Sequence, residues 1–384
     1  MKLKFKKLGD IATYINGYAF KPKDWGQNGK AIIRIQNLNN DNAEFNYFSG
    51  DINEKYIVKK GDILISWSAS IGVYEWNKED ALLNQHIFKV NFNKEEINKI
   101  YFKHMVSIAL NKAIQFMHGS TMKHITKKYF DDIKIPVPSL EIQKNIADIL
   151  DKAKSLASKR KEQIEELDLL VKSKFIEMFG DPVLNSKGWQ KGKIADIIVK
   201  TQYGTSNKAD EFNGDFKVLR MNNITYDGNW DFKSIKYVNL DEKEQKKYLV
   251  YKGEVLFNRT NSKELVGKTA VYKEDEPMAY AGYLVKAIPN ERANGEFISA
   301  YMNTKYVKDK LLNMAKNIVG MANINAEEFK KIDVYIPPIE LQNQFANFVK
   351  QVDKLKFEME KSLKELEDNF NLLMQKAFKG ELFK

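Results

Sequence analysis

The sequence contains no cysteine among its 384 residues. This absence excludes disulfide bonds, thiolate zinc sites and a cysteine nucleophile, and it is typical of proteins of the reducing cytoplasm. The chain also lacks any run of about 18 apolar residues, so no membrane span is predicted. Its basic N-terminus, MKLKFKKLGDI, lacks the apolar segment of a signal peptide. We therefore expect a cytoplasmic protein that does not enter a membrane.

Catalytic and cofactor motifs are missing as well. The four histidines show no metal-ligand spacing with carboxylates, and the GKT at Gly267 lacks the earlier glycine of a phosphate-binding loop. A DNA amino-methyltransferase requires a glycine-rich cofactor loop and an Asn/Asp-Pro-Pro-aromatic motif. Neither is present, because IPPI at Ile336 lacks the polar residue that would hold the amine. The sequence therefore predicts no catalytic centre, no bound cofactor and no metal site in this chain.

Positive charge is in excess, with a formal net charge of +11 and a pI of about 9.2. The excess lies in residues 1–138 and 187–336, whereas residues 139–186 and 337–384 are nearly neutral. Basic segments of this kind indicate an acidic partner, with nucleic acid as the first candidate. Ordinary lysine-rich composition is the alternative explanation, and the uneven distribution of charge argues against it.

Most of the sequence belongs to an internal repeat of two copies. IPVPSLEIQ from Ile135 recurs as IPPIELQNQ from Ile336, and LGDIATYINGYAF from Leu8 resembles IADIIVKTQYGTS from Ile194. The strand-like segments IIRIQNL and KKGDILISWS recur as VLRMNNI and YKGEVLFNRT. A period this long is not that of a solenoid. It indicates a duplicated strand-rich domain that is followed each time by a duplicated tail.

Each tail has the pattern of a long helix. Apolar residues recur at steps of three and four after each proline pair, without an internal proline or glycine before Gly180 and Gly380. About 38 to 40 residues would form a rod of about 60 Å. One apolar stripe on so long a helix requires a partner, and the other copy is the obvious one, so we expect the two helices to be antiparallel.

The predicted fold class is α+β, with two mixed α/β domains joined by two long antiparallel helices in an internal pseudo-two-fold repeat. The predicted boundaries are residues 1–138 for the first domain, 139–186 for the first helix, 187–337 for the second domain and 338–384 for the second helix.

Polar side chains at matched strand ends and loops are the candidates for nucleic-acid contact. RIQN and RMNN carry side chains that match guanine and adenine edges, although the alternative is that they close a turn. SWSAS and NRTNSK differ where their flanks agree, as expected of two loops that recognise different sequences. The Gly-led loops at Gly119 and Gly320 could hold phosphate, or simply end a helix. The predicted DNA-contact residues are Arg34, Gln36, Asn37, Ser66, Trp67, Ser68, Ser70, Ser120, Thr121, Lys123, His124, Lys127, Lys128, Arg220, Asn222, Asn223, Asn258, Arg259, Thr260, Asn261, Lys263 and Asn323.

The order domain, helix, domain, helix resembles the specificity subunit of type I restriction–modification systems. The resemblance covers essentially the whole chain. It is carried by IPVPSLEIQKNIADIL and IPPIELQNQFANFV, which open the two helices, by the GDIL and GEVL turns, and by FGDP at Phe179. No base assignment transfers, because NRTNSKELVGKTAVY is longer than its counterpart SWSASIGVY.

The resemblance implies a non-catalytic subunit whose two target-recognition domains each recognise half of a split site in double-stranded DNA. The helices would form a spacer, a coiled coil, and dock two modification subunits, with restriction subunits completing the complex. S-adenosylmethionine, ATP and Mg²⁺ would then be bound by the partner subunits. The residues expected at the partner interface are Glu141, Gln143, Glu340 and Gln342. The alternatives are a specificity-like methyltransferase with its own activity and a coiled-coil scaffold that binds no DNA.

Overall fold

The computed structural model describes residues 4–116, 125–318 and 321–382. The chain divides into two compact units. Unit 1 comprises Met1–Lys161 with Lys361–Lys384, and unit 2 comprises Glu162–Glu360. Each unit contains one strand-rich region and a part of each of two long helices.

Unit 1 is built on two four-stranded sheets. The sheet orders are β2-β9-β6-β7, which is antiparallel throughout, and β4-β3-β8-β5, in which β3 and β8 are parallel. A further pair, β1 with β10, joins the start of the unit to the strand before the first long helix. The strands are Phe5–Lys7 (β1), Thr13–Asn16 (β2), Lys30–Ile33 (β3), Asn46–Phe48 (β4), Ile57–Val58 (β5), Ile63–Ser66 (β6), Gly72–Glu75 (β7), Ala81–Leu83 (β8), Ile87–Asn91 (β9) and Lys134–Pro136 (β10). The helices are Leu8–Ile11 (α1), Ile35–Asn39 (α2), Lys99–Phe116 (α3) and Lys127–Asp132 (α4), with 3-10 turns at Pro22–Asp24 and Glu54–Tyr56.

The first long helix is Leu140–Phe179 (α5). It ends before residue 186, the boundary expected from the sequence. Gly180 adopts a φ of +84° there, a left-handed conformation that glycine tolerates and that terminates helices.

Unit 2 repeats the sheet orders of unit 1. The orders β12-β20-β16-β18 and β14-β13-β19-β15 correspond to those above, again with one parallel pair, β13 with β19. A three-stranded sheet, β17-β22-β21, is added within the described residues. The strands are Gln190–Lys193 (β11), Ile198–Tyr203 (β12), Phe216–Leu219 (β13), Lys236–Val238 (β14), Leu249–Val250 (β15), Val255–Asn258 (β16), Thr260–Asn261 (β17), Thr269–Val271 (β18), Met278–Tyr280 (β19), Leu284–Pro289 (β20), Lys316–Ile318 (β21), Met321–Asn323 (β22) and Asp333–Ile336 (β23). The helices are Glu242–Tyr248 (α6), Gly295–Met302 (α7), Lys305–Met314 (α8) and Ala326–Lys330 (α9), with a 3-10 turn at Ile194–Ile197.

The second long helix is Ile339–Lys379 (α10). In unit 2, Phe175 near the end of α5 meets Phe345 near the start of α10, with ring centroids 5.6 Å apart. Earlier on α5, Asp168 pairs with Lys356, which lies later on α10, at 2.7 Å. Late positions of one helix therefore face early positions of the other, so the helices run antiparallel. The predicted fold class is confirmed.

Each unit buries its helix segments against its own sheet. In unit 1, Ile146 and Leu150 share a core with Ile65 of β6, Met105 of α3 and Ala377 of α10. Burying a large apolar side chain such as isoleucine or leucine stabilises the fold by roughly 1.5–3 kcal/mol per side chain. Most of each predicted apolar stripe therefore faces inward within its unit, whereas Leu156 and Leu355 of the same stripes are 56% and 48% exposed.

Candidate nucleic-acid interface

In unit 1, Trp67 is held at the end of β6 by its backbone. Its N–H donates to the carbonyl of His86 at 3.2 Å, and its carbonyl accepts from the N–H of Ile125 at 3.2 Å. The indole Nε1–H donates to Oδ1 of Asn16 at 3.3 Å. Trp67 and Lys127, both predicted from the sequence, thus line one cavity of about 440 Å³ together with Asn16, which the sequence analysis missed.

Lys127 lies at the rim of that cavity, at the start of α4. Thr126 caps the helix by accepting from the N–H of Tyr129 at 3.4 Å. The Lys127 ammonium lies 5.1 Å from the ring centroid of Tyr14 and forms an ion pair with Asp131. Lys127 and its neighbour Lys128 are exposed, so either lysine can be reached by a phosphate backbone, although the Lys127 ammonium would have to exchange its ion pair with Asp131 for a phosphate.

In unit 2, Arg259 occupies the position of Trp67. Its N–H donates to the carbonyl of Tyr283 at 3.0 Å, and its carbonyl accepts from the N–H of Ile324 at 2.9 Å. The guanidinium carbon lies 5.0 Å from the ring centroid of Tyr203. Pairing of β17 with β22 then brings Thr260 to Asn323, whose Oδ1 accepts from the threonine hydroxyl at 2.9 Å. Three of the predicted residues of unit 2 therefore meet at one corner.

Asn16 and Tyr203 also occupy matched positions. Each precedes a glycine, and Gly17 and Gly204 donate to the carbonyls of Ile87 and Leu284 at 3.1 and 3.2 Å. A Cβ at Gly17 would lie 2.0 Å from the carbonyl oxygen of Asn84, so only glycine fits there. The NG and YG dipeptides, which match once the one-residue bulge between Ile198 and Lys200 is allowed for, were the signal that could have identified both residues.

Two predicted asparagines have a different role. Asn37 and Asn223 are buried, and each accepts a bond from the backbone N–H three residues earlier, at Arg34 and Arg220. Their Nδ2 groups donate to backbone carbonyls, in Asn223 to that of Asp231 at 2.8 Å. This corrects the prediction of base contact for both, because every polar atom of these amides is used to close a turn.

Ser66 and Asn258 require the same correction. Both are fully buried at the ends of β6 and β16. The Ser66 hydroxyl donates to the carbonyl of Ser70, and Asn258 Oδ1 accepts from the N–H of Thr260 at 3.3 Å. The two side chains shape the loops that follow them.

The remaining predicted residues differ in how freely they reach the surface. Arg34 lies over the ring of Trp25 at 5.3 Å, whereas Arg220 donates to the carbonyl of Ser234. Those with at least partial exposure are Gln36, Ser68, Ser70, Asn222, Asn261 and Lys263. Those outside the described residues are Ser120, Thr121, Lys123 and His124.

The residues expected at a partner interface separate into two kinds. Glu141 and Glu340 are exposed in the first turns of α5 and α10. Gln143 and Gln342 are buried, with 1% and 0% exposure. Each glutamine Oε1 accepts a backbone N–H of its own unit, and each Nε2 donates to a carbonyl of the preceding proline segment. Gln143 and Gln342 are therefore internal ties between helix and domain, which corrects that prediction.

A cavity of about 560 Å³ in unit 2 is bordered by α5, α7, α8 and α10. Its lining has five lysines and five carboxylates, among them the pairs Lys356 with Asp168 at 2.7 Å and Lys273 with Asp353 at 2.6 Å. Burial lowers the pKa of Lys308 at its rim to about 8. Because cations and anions are balanced, the cavity shows no preference for a charged ligand.

Within residues 4–116, 125–318 and 321–382, no group of three or more histidine, aspartate or glutamate side chains could hold a metal ion. In the same part of the chain, no helix is apolar over a length sufficient to cross a bilayer.

Comparison with known proteins matches the chain to a family model described as the type I restriction modification DNA specificity domain, over residues 2–166 and 186–368. The chain belongs to this family. The two matched segments correspond to the two copies of the internal repeat, so this type I specificity chain carries the family domain twice.

Relatives extend over most of this specificity chain. The EcoBI specificity subunit of Escherichia coli is 23% identical, over 98% of this chain and 85% of the relative. The MjaVIII specificity subunit of Methanocaldococcus jannaschii is 25% identical, over 79% of this chain and 75% of the relative.

Solved structures share the fold. The type I restriction–modification S subunit from M. genitalium aligns with a TM-score of 0.56 at 15% identity, over 98% of this chain and 96% of that one. A chain from a study of complex assembly and conformational transition in a type I system aligns with a TM-score of 0.59 at 14% identity, over 99% and 98%.

Proposed function

We propose that this chain is the non-catalytic DNA-recognition subunit of a type I restriction–modification complex, and that each unit recognises one half of a split site. One observation carries the proposal. Residues 67 and 259 have the same backbone hydrogen bonds in the two units, yet one is tryptophan and the other arginine. Two copies of one frame with different side chains are suited to two different base sequences.

Charge supports DNA as the partner. The chain has a net charge of +11, and its excess cations lie in the two strand-rich regions. These regions contain the matched corners, which are the sites around Trp67 in unit 1 and Arg259 in unit 2. Phosphate contacts by exposed lysines such as Lys127, Lys128 and Lys263 would supply affinity without sequence preference. Side chains at the corners would supply the preference.

Modification subunits are the proposed partners of the long helices. Two such subunits are expected, because the start of the helix occurs twice in the chain. Glu141 and Glu340 remain candidates for contact, since both are exposed. Large apolar side chains are also exposed on the helices: Phe357 at 65% and Leu169 at 59% in unit 2, and Leu156 at 56% in unit 1. Exposed apolar surface of this kind favours a protein partner. Such partners would bind S-adenosylmethionine, and restriction subunits would bind ATP and Mg²⁺.

A segment exchange tests the proposal. Residues 187–336 are replaced by the corresponding segment of a relative with a different DNA site, and methylated adenines are mapped in cells that express the chimaera with its modification subunits. The proposal predicts that one half of the methylated motif changes and the other half is retained. A motif that changes throughout, or not at all, contradicts the assignment of one half-site to each unit.

A further inference from the structure

The two matched corners hold their side chains in place by different chemistry. In unit 1, the polar hydrogen of Trp67 is directed to Asn16 at 3.3 Å. In unit 2, the guanidinium of Arg259 stacks on Tyr203 at 5.0 Å. Positions 16 and 67 correspond to positions 203 and 259, because the neighbouring backbone bonds are the same in both units.

Arg259 is unusual among the arginines of unit 2. Arg220 donates to the carbonyl of Ser234, and Arg292 donates to Oε1 of Gln190 at 3.0 Å. Within the described residues, the side chain of Arg259 forms no hydrogen bond; its Nε is buried without a partner, as is that of Arg220. A guanidinium held by stacking alone keeps its terminal N–H groups for a ligand.

Tyr203 is itself fixed. Its hydroxyl accepts from the backbone N–H of Ala326 at 3.0 Å, at the start of α9, while 40% of the residue is exposed. The ring therefore has a defined orientation at the surface. A planar cation stacked on a fixed ring loses little conformational freedom when it binds, which favours directional recognition.

We propose that Arg259 contacts a guanine in the half-site of unit 2, and that Tyr203 is the residue that positions it. The inference rests on the proposed DNA-recognition function and refines it. The fork of arginine donors matches O6 and N7 of guanine in the major groove, whereas a lysine offers a single ammonium. Unit 1 has Trp67 at the matched position, so its half-site lacks this guanine contact, and the amide of Asn16 is the polar group beside it.

The test uses the full chain in complex with its modification subunits and a pool of DNA duplexes of random sequence. Bound duplexes are sequenced for the wild type and for Arg259→Lys, Arg259→Gln, Tyr203→Ala and Tyr203→Phe. Arg292→Lys serves as the control, because its partner Gln190 lies within the protein. In every variant, continued selection of the half-site of unit 1 is the internal control that the protein is folded.

The wild type should select a split motif that contains a guanine in one half. Arg259→Lys and Arg259→Gln should lower the preference for that guanine by roughly tenfold or more, and leave the other half unchanged. Tyr203→Ala should reduce the same preference, and Tyr203→Phe should reduce it less, because the ring is kept while the hydroxyl bond that orients it is lost. A structural role for Tyr203 alone would not shift the preference at a single base.

Two results separate this inference from the function on which it rests. A split motif that keeps its guanine preference in both Arg259 variants overturns the guanine contact and leaves the recognition function standing. Wild-type complex that selects no sequence overturns both. The Arg259 variants could instead lose base preference in the half-site recognised by unit 1, which contains Trp67. That result would show that Arg259 does not act on the half-site of unit 2, and it also overturns the inference.

Discussion

Gln143 accepts a hydrogen bond from the backbone N–H of Asn98 at 2.9 Å. The bond ties the first turn of α5 to the start of α3, and Gln342 forms the same bond with Asn294 at 2.9 Å in unit 2. The repeated Glu-x-Gln sequence therefore secures each helix to its own domain through the glutamine, while the glutamate points to the surface.

Replacing Gln143 or Gln342 with alanine should destabilise the protein by about 1–3 kcal/mol, since a buried backbone N–H is left without an acceptor. Denaturant unfolding measures the loss. Glu141→Ala and Glu340→Ala are the matched controls, because both glutamates are exposed in the same helical turn. Glutamine variants with wild-type stability would show that the tie is dispensable.

Lys273 should matter far more than a surface cation. It pairs with Glu296 at 3.0 Å and with Asp353 at 2.6 Å. Burial opposes its charge, but the two carboxylates raise its pKa above the usual value. Lys273→Met should cost roughly 2–4 kcal/mol, somewhat less than a fully buried pair, since it leaves Glu296 unpaired at 19% side-chain exposure.

Lys252→Met is the control for that variant. Lys252 pairs with Asp275 at 2.6 Å, and both side chains are largely exposed. Exposed pairs of this kind contribute little, so the unfolding midpoint should hardly move. Equal effects of the two substitutions would contradict the importance of the Lys273 cluster.

His104 gives unit 1 a dependence on pH. Burial lowers the pKa of the imidazole below its ordinary value, although Asp151 lies 2.8 Å from Nε2 and opposes the shift. Because the folded state binds the proton more weakly, this stabilisation is complete above the unfolded pKa and is lost as the pH falls through the folded pKa. His104→Gln, which cannot titrate, should therefore lose less stability than the wild type between about pH 7 and about pH 5. Unfolding titrations at the two pH values measure this, and parallel losses in both proteins would exclude the role of His104.

Lys127 and Lys128 should contribute affinity without sequence preference. Replacing both with alanine should weaken binding to every duplex alike and flatten the dependence of log K on log salt by up to about 1.8, or about 0.9 for each phosphate contact. Lys144→Ala, on the exposed side of α5, is the control. A change in base preference instead of the salt slope would show that these lysines recognise bases.

The sequence allowed the repeat, the strands and the long helices to be predicted, because periodicity and turn residues are local signals. It could not place Gln143, since a residue that recurs in both copies looks the same whether it faces a partner or its own fold. Nor did it find Asn16, which lies 51 residues before its hydrogen-bond partner Trp67. The strands that carry these two residues, β2 and β6, are separated in the sheet by β9. Burial and cross-sheet neighbours are tertiary properties, so the turn-closing amides Asn37 and Asn223 were misassigned to DNA.

Mapping of methylated adenines, in cells with and without this chain, tests the proposed recognition of a split site most directly. With the chain and its modification subunits present, the genome should carry one methylated motif of two defined half-sites separated by unspecified bases. That motif should disappear when the chain is removed. Methylation that persists without the chain, or a motif that is one continuous sequence, would contradict recognition of a split site by its two units.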